Sequence, residues 1–249
     1  MIDTSASPLN DGVSIVIPAF NEEKYLPETL RALNLSRARL ELTGVPTEII
    51  VVDNASTDKT SVVASNLGCL VIAHPERNIS AVRNAGIKAA RYGLVVTIDA
   101  DCSIGEDGLE KIISHMASGI HVGGAMNLRV HANRWDARIA IFLIQWFVVK
   151  IAGINGALFF FWKDDALAFG GFREDKLIAE DSAFALDLRR HGAKTNRTFS
   201  LLKSVMVTTT DRKDTSIAML LLLVPKLLRV FLGASVKKSD LKYWYEPKR

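Results

Sequence analysis

Apolar positions in the first hundred residues recur in two alternating patterns. Val13-Ser-Ile-Val-Ile17 is a β-branched run closed by Pro18, and residues 22–33 then carry Tyr25, Leu26, Leu30 and Leu33 at helical spacing. This predicts a strand, a loop and a helix. The unit recurs: Glu48-Ile-Ile-Val-Val-Asp53 leads through Asn54-Ala-Ser-Thr-Asp58 into a helix over 60–67, and Leu94-Val-Val-Thr-Ile98 ends at Asp99. Between them, Cys69-Leu-Val-Ile72 predicts a further strand and 79–90 a further helix. Strands this apolar, alternating with helices, are buried on both faces, so the pattern predicts an α/β fold around a mostly parallel sheet. In such sheets ligands bind beyond the carboxyl ends of the strands, where helix N-termini and loop amides converge. Asn21, Asp53, Asn54 and Asp99 all fall at those ends.

A length of 249 residues allows one sizeable core and an appendage. No repeat or low-complexity linker breaks the pattern before about 215, so the expected organisation is a single domain over 1–214 and a helical extension over 215–249. The net charge of +4 is concentrated in that extension, because 226–249 alone holds seven basic and two acidic residues, a balance of +5. Neither an RNP-like aromatic motif nor zinc-finger spacing accompanies these cations, so nucleic acid is not an expected partner.

Cys69 and Cys102 are too few and too far apart for a disulfide framework or a CxxC metal site, which points to a reducing, cytoplasmic setting. The opening residues MIDTSASPLNDG lack a basic n-region and an apolar h-region, so no secretory signal is expected. A mean hydropathy of +0.17 is nevertheless apolar for a freely soluble protein. The run Ile217-Ala-Met-Leu-Leu-Leu-Leu-Val224, followed by Pro225, Lys226 and Arg229, is too short and interrupted to span a bilayer. With Lys237, Lys238, Lys242, Tyr243 and Trp244 it suits a helix lying on an anionic membrane surface, which the Phe- and Trp-rich segment 139–150 could join. Packing as ordinary core helices or at a subunit interface is the competing reading, since the two look alike in sequence.

The polar residues at the strand ends have simple explanations one at a time. Asn21, Ser56 and Asp58 could satisfy exposed amides at helix starts. Asp99 and Asp101 could lie in a surface turn, and Glu180-Asp181 could compensate a helix dipole. Their order is more specific. Ile17-Pro-Ala-Phe-Asn-Glu-Glu23, Val51-Val-Asp-Asn-Ala-Ser-Thr-Asp58, Asn78-Ile-Ser-Ala-Val-Arg-Asn-Ala-Gly86, Asp99-Ala-Asp101, Asn155-Gly-Ala-Leu-Phe-Phe-Phe-Trp-Lys163, Gly170-Gly-Phe172 and Glu180-Asp181 succeed one another over roughly 13–192. This series resembles family 2 glycosyltransferases, nucleotide-sugar-dependent enzymes of GT-A (Rossmann-like) fold.

The resemblance implies that the first strand-end loop, with Pro18, Phe20 and Glu22, lines the nucleotide pocket together with Asp53. Carboxylates suit that task, because a base edge or ribose diol presents N–H and O–H donors. It places Arg83 near the donor diphosphate, where a guanidinium fork binds phosphate oxygens in pairs. Asp99 and Asp101 match the DxD motif. In an extended segment they would turn to one side and offer hard oxygen ligands to Mn²⁺ or Mg²⁺, with Asp99 also near the ribose. One of the acidic pair acts as general base in the resemblance; Asp181 is the first assignment and Glu180 the alternative. The implied reaction moves a sugar, with inversion, from a nucleotide-diphosphate sugar to the hydroxyl of a sugar, glycan or lipid-linked acceptor.

Two departures matter. No QxxRW element is present, so chain polymerisation is not expected, and no histidine follows His191 to serve as a further metal ligand. Among rival readings, a sugar nucleotidyltransferase would carry a glycine-rich phosphate loop after the first strand, and a dehydrogenase would carry GxGxxG there; neither occurs. A glycosyltransferase-like binding protein without turnover is the non-enzymatic rival, against which the retention of Asp99, Asp101 and Asp181 counts.

Overall fold

The computed structural model describes residues 12–152, 154, 156–176 and 179–210. The expected extension over 215–249, with its membrane-facing run, and most of the N-terminal stretch judged not to be a secretory signal lie outside the described residues. Four strands, β1 (Val13–Ala19), β2 (Thr47–Asp53), β3 (Leu70–Ala73) and β4 (Leu94–Ile98), lie parallel in the order β3-β2-β1-β4. They are linked by α1 (Leu26–Glu41), α2 (Thr60–Asn66) and α3 (Ile79–Ala89).

Every residue of β1 is buried, and its side chains divide by the two-residue period of a strand. Ile15 and Ile17 join Leu26, Leu30 and Leu33 of α1 on one face of the sheet. Val16 joins Ile50, Val52, Val82 and Ile87 on the other, against α3. Close approach of α3 depends on Gly86, where a Cβ would sit 2.3 Å from Val16 Cγ1. Expected and observed elements differ most at α1, which starts at Leu26 because the backbone first makes a turn: Tyr25 and Leu26 donate to the Glu22 carbonyl at 3.1 and 2.9 Å.

Beyond β4 come β5 (Ser103–Ile104), α4 (Gly108–Met116), β6 (His121–His131), α5 (Trp135–Ala152), β7 (Leu158–Trp162), α6 (Lys163–Ala168), α7 (Glu180–Lys194) and β8 (Thr198–Thr210). They extend the sheet to eight strands, continuing β4-β7-β6-β8-β5. Here β7 runs antiparallel to both β4 and β6, and β5 antiparallel to β8, while β6 and β8 are parallel. The sheet is therefore mostly parallel, with its antiparallel pairings confined to this second half. Three successive phenylalanines of β7 serve both faces: Phe159 and Phe161 meet Phe184 of α7, while Phe160 meets His115 of α4. Phe172 stacks on Phe184 with ring centroids 3.9 Å apart, which ties the Gly170-Gly171 turn to α7. No helix among the described residues is long and apolar enough to cross a membrane.

Candidate active site

The loops after β1 and β2 interlock. Asn21, held at φ 54°, accepts from the Thr57 amide at 2.7 Å and donates its own amide to Ser56 Oγ at 2.9 Å. Glu22 donates its amide to Thr60 Oγ1 at 2.7 Å, and Glu23 accepts from the Lys59 amide at 2.9 Å. Asn21, Ser56 and Asp58 thus satisfy loop and helix-start amides, their simplest reading. The loop pair also sets Phe20, half-buried beneath the Arg77 guanidinium at 3.8 Å, near the end of β1. Asp53 accepts from the Ser56 amide at 3.1 Å and from the Ser61 hydroxyl, and each of its oxygens keeps a second lone pair. Glu22 is half-buried, whereas Pro18 is buried within β1 opposite Val52, one position short of the strand end.

The centre of the site is Arg83. Asn78 caps α3 by accepting from the Ser80 and Ala81 amides at 3.0 and 3.3 Å, and Arg83 follows one turn later on the buried side. Its Nη2 donates to Asp99 Oδ1 at 2.7 Å and its Nη1 to Asp181 Oδ1 at 2.7 Å, with Glu180 Oε1 at 3.5 Å. Arg83 Nε is buried without a partner. The structure therefore joins the residues expected on the donor and acceptor sides directly, across 98 sequence positions for Arg83 and Asp181.

Asp99 and Asp101 do come together, though not by strand alternation. Cys102 donates its amide to the Asp99 carbonyl at 3.1 Å, closing a tight turn rather than continuing β4. Asp101 is anchored by β8, the strand that pairs with β5, where Thr209 Oγ1 donates to its carbonyl at 3.1 Å. Ligand atoms of Asp99, Asp101 and Cys102 lie within 4.8 Å of one another. The two aspartates offer the hard oxygen donors that Mg²⁺ and Mn²⁺ take. Cys102 is a poor third ligand for such a hard cation, because its donor is a soft, buried sulfur.

Three carboxylates thus contact one guanidinium and Asp101 stands beside Asp99, an excess of negative charge that a divalent cation or its equivalent would balance. The electrostatics agree. Burial, with Glu180 and Asp99 nearby, raises the Asp181 carboxyl well above its ordinary value although Arg83 pulls it down. Asp99 is raised for the same leading reason, its burial. The surrounding carboxylates raise Arg83 against the effect of burial, so it stays charged.

Residues outside the expected set pack around Asp181 and the Gly170-Gly-Phe172 turn. Gly156 packs against the base candidate, since a Cβ there would lie 2.1 Å from Asp181 Oδ2. Asn84, next to Arg83 and buried, donates to the Phe172 carbonyl at 2.8 Å and Glu174 Oε1 at 2.9 Å, and accepts from the Phe172 amide at 2.8 Å. α3 accordingly carries Arg83 and pins the Gly170-Gly-Phe172 turn with the next residue. Asparagine is a weak helix former whose side chain competes for backbone partners, and its position inside α3 was the available signal. Asn84→Ala is expected to cost about 1–3 kcal/mol by leaving the Phe172 amide and carbonyl unsatisfied. Denaturant unfolding measures this, and unchanged stability would detach α3 from the turn.

His191 takes no part in this cluster. It meets Asp165 at 2.9 Å, and Arg197 grips the same carboxylate at 2.7 and 2.6 Å, tying α6, α7 and the entry to β8.

Comparison with known proteins agrees with this architecture. The family model for glycosyl transferase family 2 matches residues 14–169. An uncharacterised glycosyltransferase of Mycobacterium tuberculosis is 31% identical over 138 residues, 55% of this chain and 59% of that one. The undecaprenyl-phosphate 4-deoxy-4-formamido-L-arabinose transferase of Pseudomonas aeruginosa is 34% identical over 152 residues, 54% of this chain and 42% of that one. The chain thus spans less than two thirds of the length of these curated relatives. Among solved structures, S. aureus TarS 1-349 in complex with UDP-GlcNAc aligns with a TM-score of 0.63 at 17% identity, covering 92% of this chain and 69% of that one. Glucosyl-3-phosphoglycerate synthase from Mycobacterium tuberculosis, in complex with Mn²⁺, UDP and glucosyl-3-phosphoglycerate, aligns with a TM-score of 0.62 at 15% identity, covering 91% and 82%. With the family model matched over more than half its length, from β1 through the Arg83 and Asp99-Ala-Asp101 segments, the chain belongs to glycosyl transferase family 2.

Proposed function

We propose that the protein transfers a sugar, with inversion, from a nucleotide-diphosphate sugar to an acceptor hydroxyl. The observation that carries this is the convergence of Asp99, Glu180 and Asp181 on buried Arg83, with Asp101 beside Asp99. Phe20, Glu22 and Asp53 hold the nucleoside at the ends of β1 and β2. Arg83 binds the diphosphate through its paired N–H donors. Asp181 takes the proton from the acceptor hydroxyl as that oxygen attacks the anomeric carbon, a task that its place at the start of α7 beside Arg83 allows. Glu180, one position earlier on α7, is the alternative base. A divalent cation, Mn²⁺ or Mg²⁺, held by Asp99 and Asp101 would supply positive charge opposite the leaving diphosphate.

The acceptor we assign is a sugar, glycan or lipid-linked molecule, the last met at the cytosolic face of a membrane. The named activity of the Pseudomonas relative, on an undecaprenyl phosphate, supports the lipid-linked class. Screening purified protein against several nucleotide sugars with Mn²⁺, reading nucleoside diphosphate release and the glycosylated product, tests the whole reading; no release with any donor would overturn it. Asp101→Ala is expected to abolish metal-dependent donor binding while the fold persists, because a hard ligand is lost at a turn outside the packed strands. Calorimetric titration with donor and Mn²⁺ decides, and unchanged affinity would remove Asp101 from the metal site.

A further inference from the structure

The first two turns of α5 show two faces. Ala137, Ala140 and Ile141 are buried, with Ala137 and Ile141 packed beside Ala132 and Val130 at the end of β6. Trp135 is 72% exposed, Ile139 45%, Phe142 65% and Leu143 43%. At 3.6 residues per turn these four fall within about 100° of arc, a continuous apolar stripe aimed at solvent. Scattered exposed apolar residues need no explanation, but a stripe of aromatic and aliphatic side chains on one helix face does.

Cations border the stripe. Arg138 lies next to Phe142 on the helical wheel and is held there by a 2.9 Å bond from Nε to the Ala132 carbonyl. Arg129, exposed on β6, completes the basic edge. Between α5 and the β6–β8 ladder runs a cleft of about 330 Å³, whose lining includes Leu128, Arg129, Val130, Arg138, Ile141 and Phe142. Two guanidiniums beside an apolar wall make a mixed surface, cationic along one edge and apolar along the other. It matches the boundary of an anionic bilayer, where phosphates sit above acyl chains and tryptophan and arginine are favoured.

We infer that the outer face of the first turns of α5, over 135–143, is a docking surface for an anionic lipid bilayer, with a headgroup phosphate entering the cleft that Arg129 and Arg138 line. The fold connects this surface to the chemistry. Met206 of β8 also lines the cleft, and Thr209, three residues along the same strand, holds the Asp101 carbonyl. At roughly 3.3 Å per residue the two points are about 10 Å apart. Met206 and Thr209 are an odd number of residues apart, so their side chains leave β8 on opposite faces, and it is the strand itself that links the α5 surface to the Asp101 turn. This deepens the proposed function for membrane-held acceptors, yet the surface stands on its own geometry.

The test uses the full chain and phosphatidylcholine vesicles with and without phosphatidic acid. Co-sedimentation is expected only with the acidic vesicles and to weaken with added salt. Arg129→Gln with Arg138→Gln should lower affinity by roughly thirtyfold, the effect of two surface cations, and Phe142→Ser should weaken it independently. All three positions are exposed on the surface, and circular dichroism confirms that the variants fold. Equal sedimentation with both vesicle types, unchanged binding of the double variant, or full competition by inorganic phosphate would overturn the inference. Nucleoside diphosphate release in the donor screen is read on the same proteins. Release without vesicle binding rejects the docking surface and leaves the proposed reaction standing, whereas vesicle binding without release rejects only the reaction.

Discussion

Asp181→Asn is expected to bind donor as the unaltered protein does and to lose turnover by a factor on the order of 10²–10⁴, the contribution of a positioned general base. The amide keeps the shape of the side chain and can still accept from Arg83, so the site should not collapse. It cannot take a proton. Steady-state rates, set beside donor affinity from calorimetry, separate the two effects. Glu180→Gln is the comparison, because Glu180 lies at 3.5 Å from the same guanidinium nitrogen and has the same chemistry available. Near-normal turnover in Asp181→Asn together with a collapse in Glu180→Gln would move the base by one residue. A loss of donor binding in Asp181→Asn would instead show that its charge serves the donor side through Arg83.

Arg83→Met is expected to cost about 3 kcal/mol of stability and to remove measurable donor affinity. Removing one partner of a buried ion pair leaves the other charges uncompensated, a penalty of about 3–5 kcal/mol. The lower end applies because Asp99 and Asp181 keep side-chain exposures of 37% and 27%. Arg83→Lys should restore part of the stability and little of the affinity, since one ammonium cannot replace two parallel N–H donors. Denaturant unfolding and calorimetry with the donor selected by the screen measure the two quantities. A variant that loses stability but keeps donor affinity would make Arg83 a structural tie only.

The apolar, β-branched runs of β1, β2 and β4 were legible because a parallel strand covered on both faces has no room for alternation, and their carboxyl ends located Asp53 and Asp99 at once. The order of motifs carried the family and hence the roles expected of Arg83, Asp101 and Asp181. Local geometry was less legible. Asp99-Ala-Asp101 turns rather than continuing a strand, with the Cys102 amide on the Asp99 carbonyl and distant Thr29 and Thr209 on the Ala100 and Asp101 carbonyls, which local residue types do not specify. Asn84 and Gly156 lie inside the motif segments with no role legible there, because their partners, Phe172 with Glu174 and Asp181, lie far along the chain.

By itself, the sequence determined the α/β class, the strand ends that bear polar residues and the family to which the chain belongs, because these follow from periodicities and residue order written within short windows. Only the tertiary structure decided that β7 enters antiparallel beside β4, that one arginine binds both the DxD turn and the start of α7, and that α5 leaves an apolar stripe uncovered within the described residues. Each of these is a contact between distant segments, and its energy depends on burial and on partners that exist only once the sheet has closed.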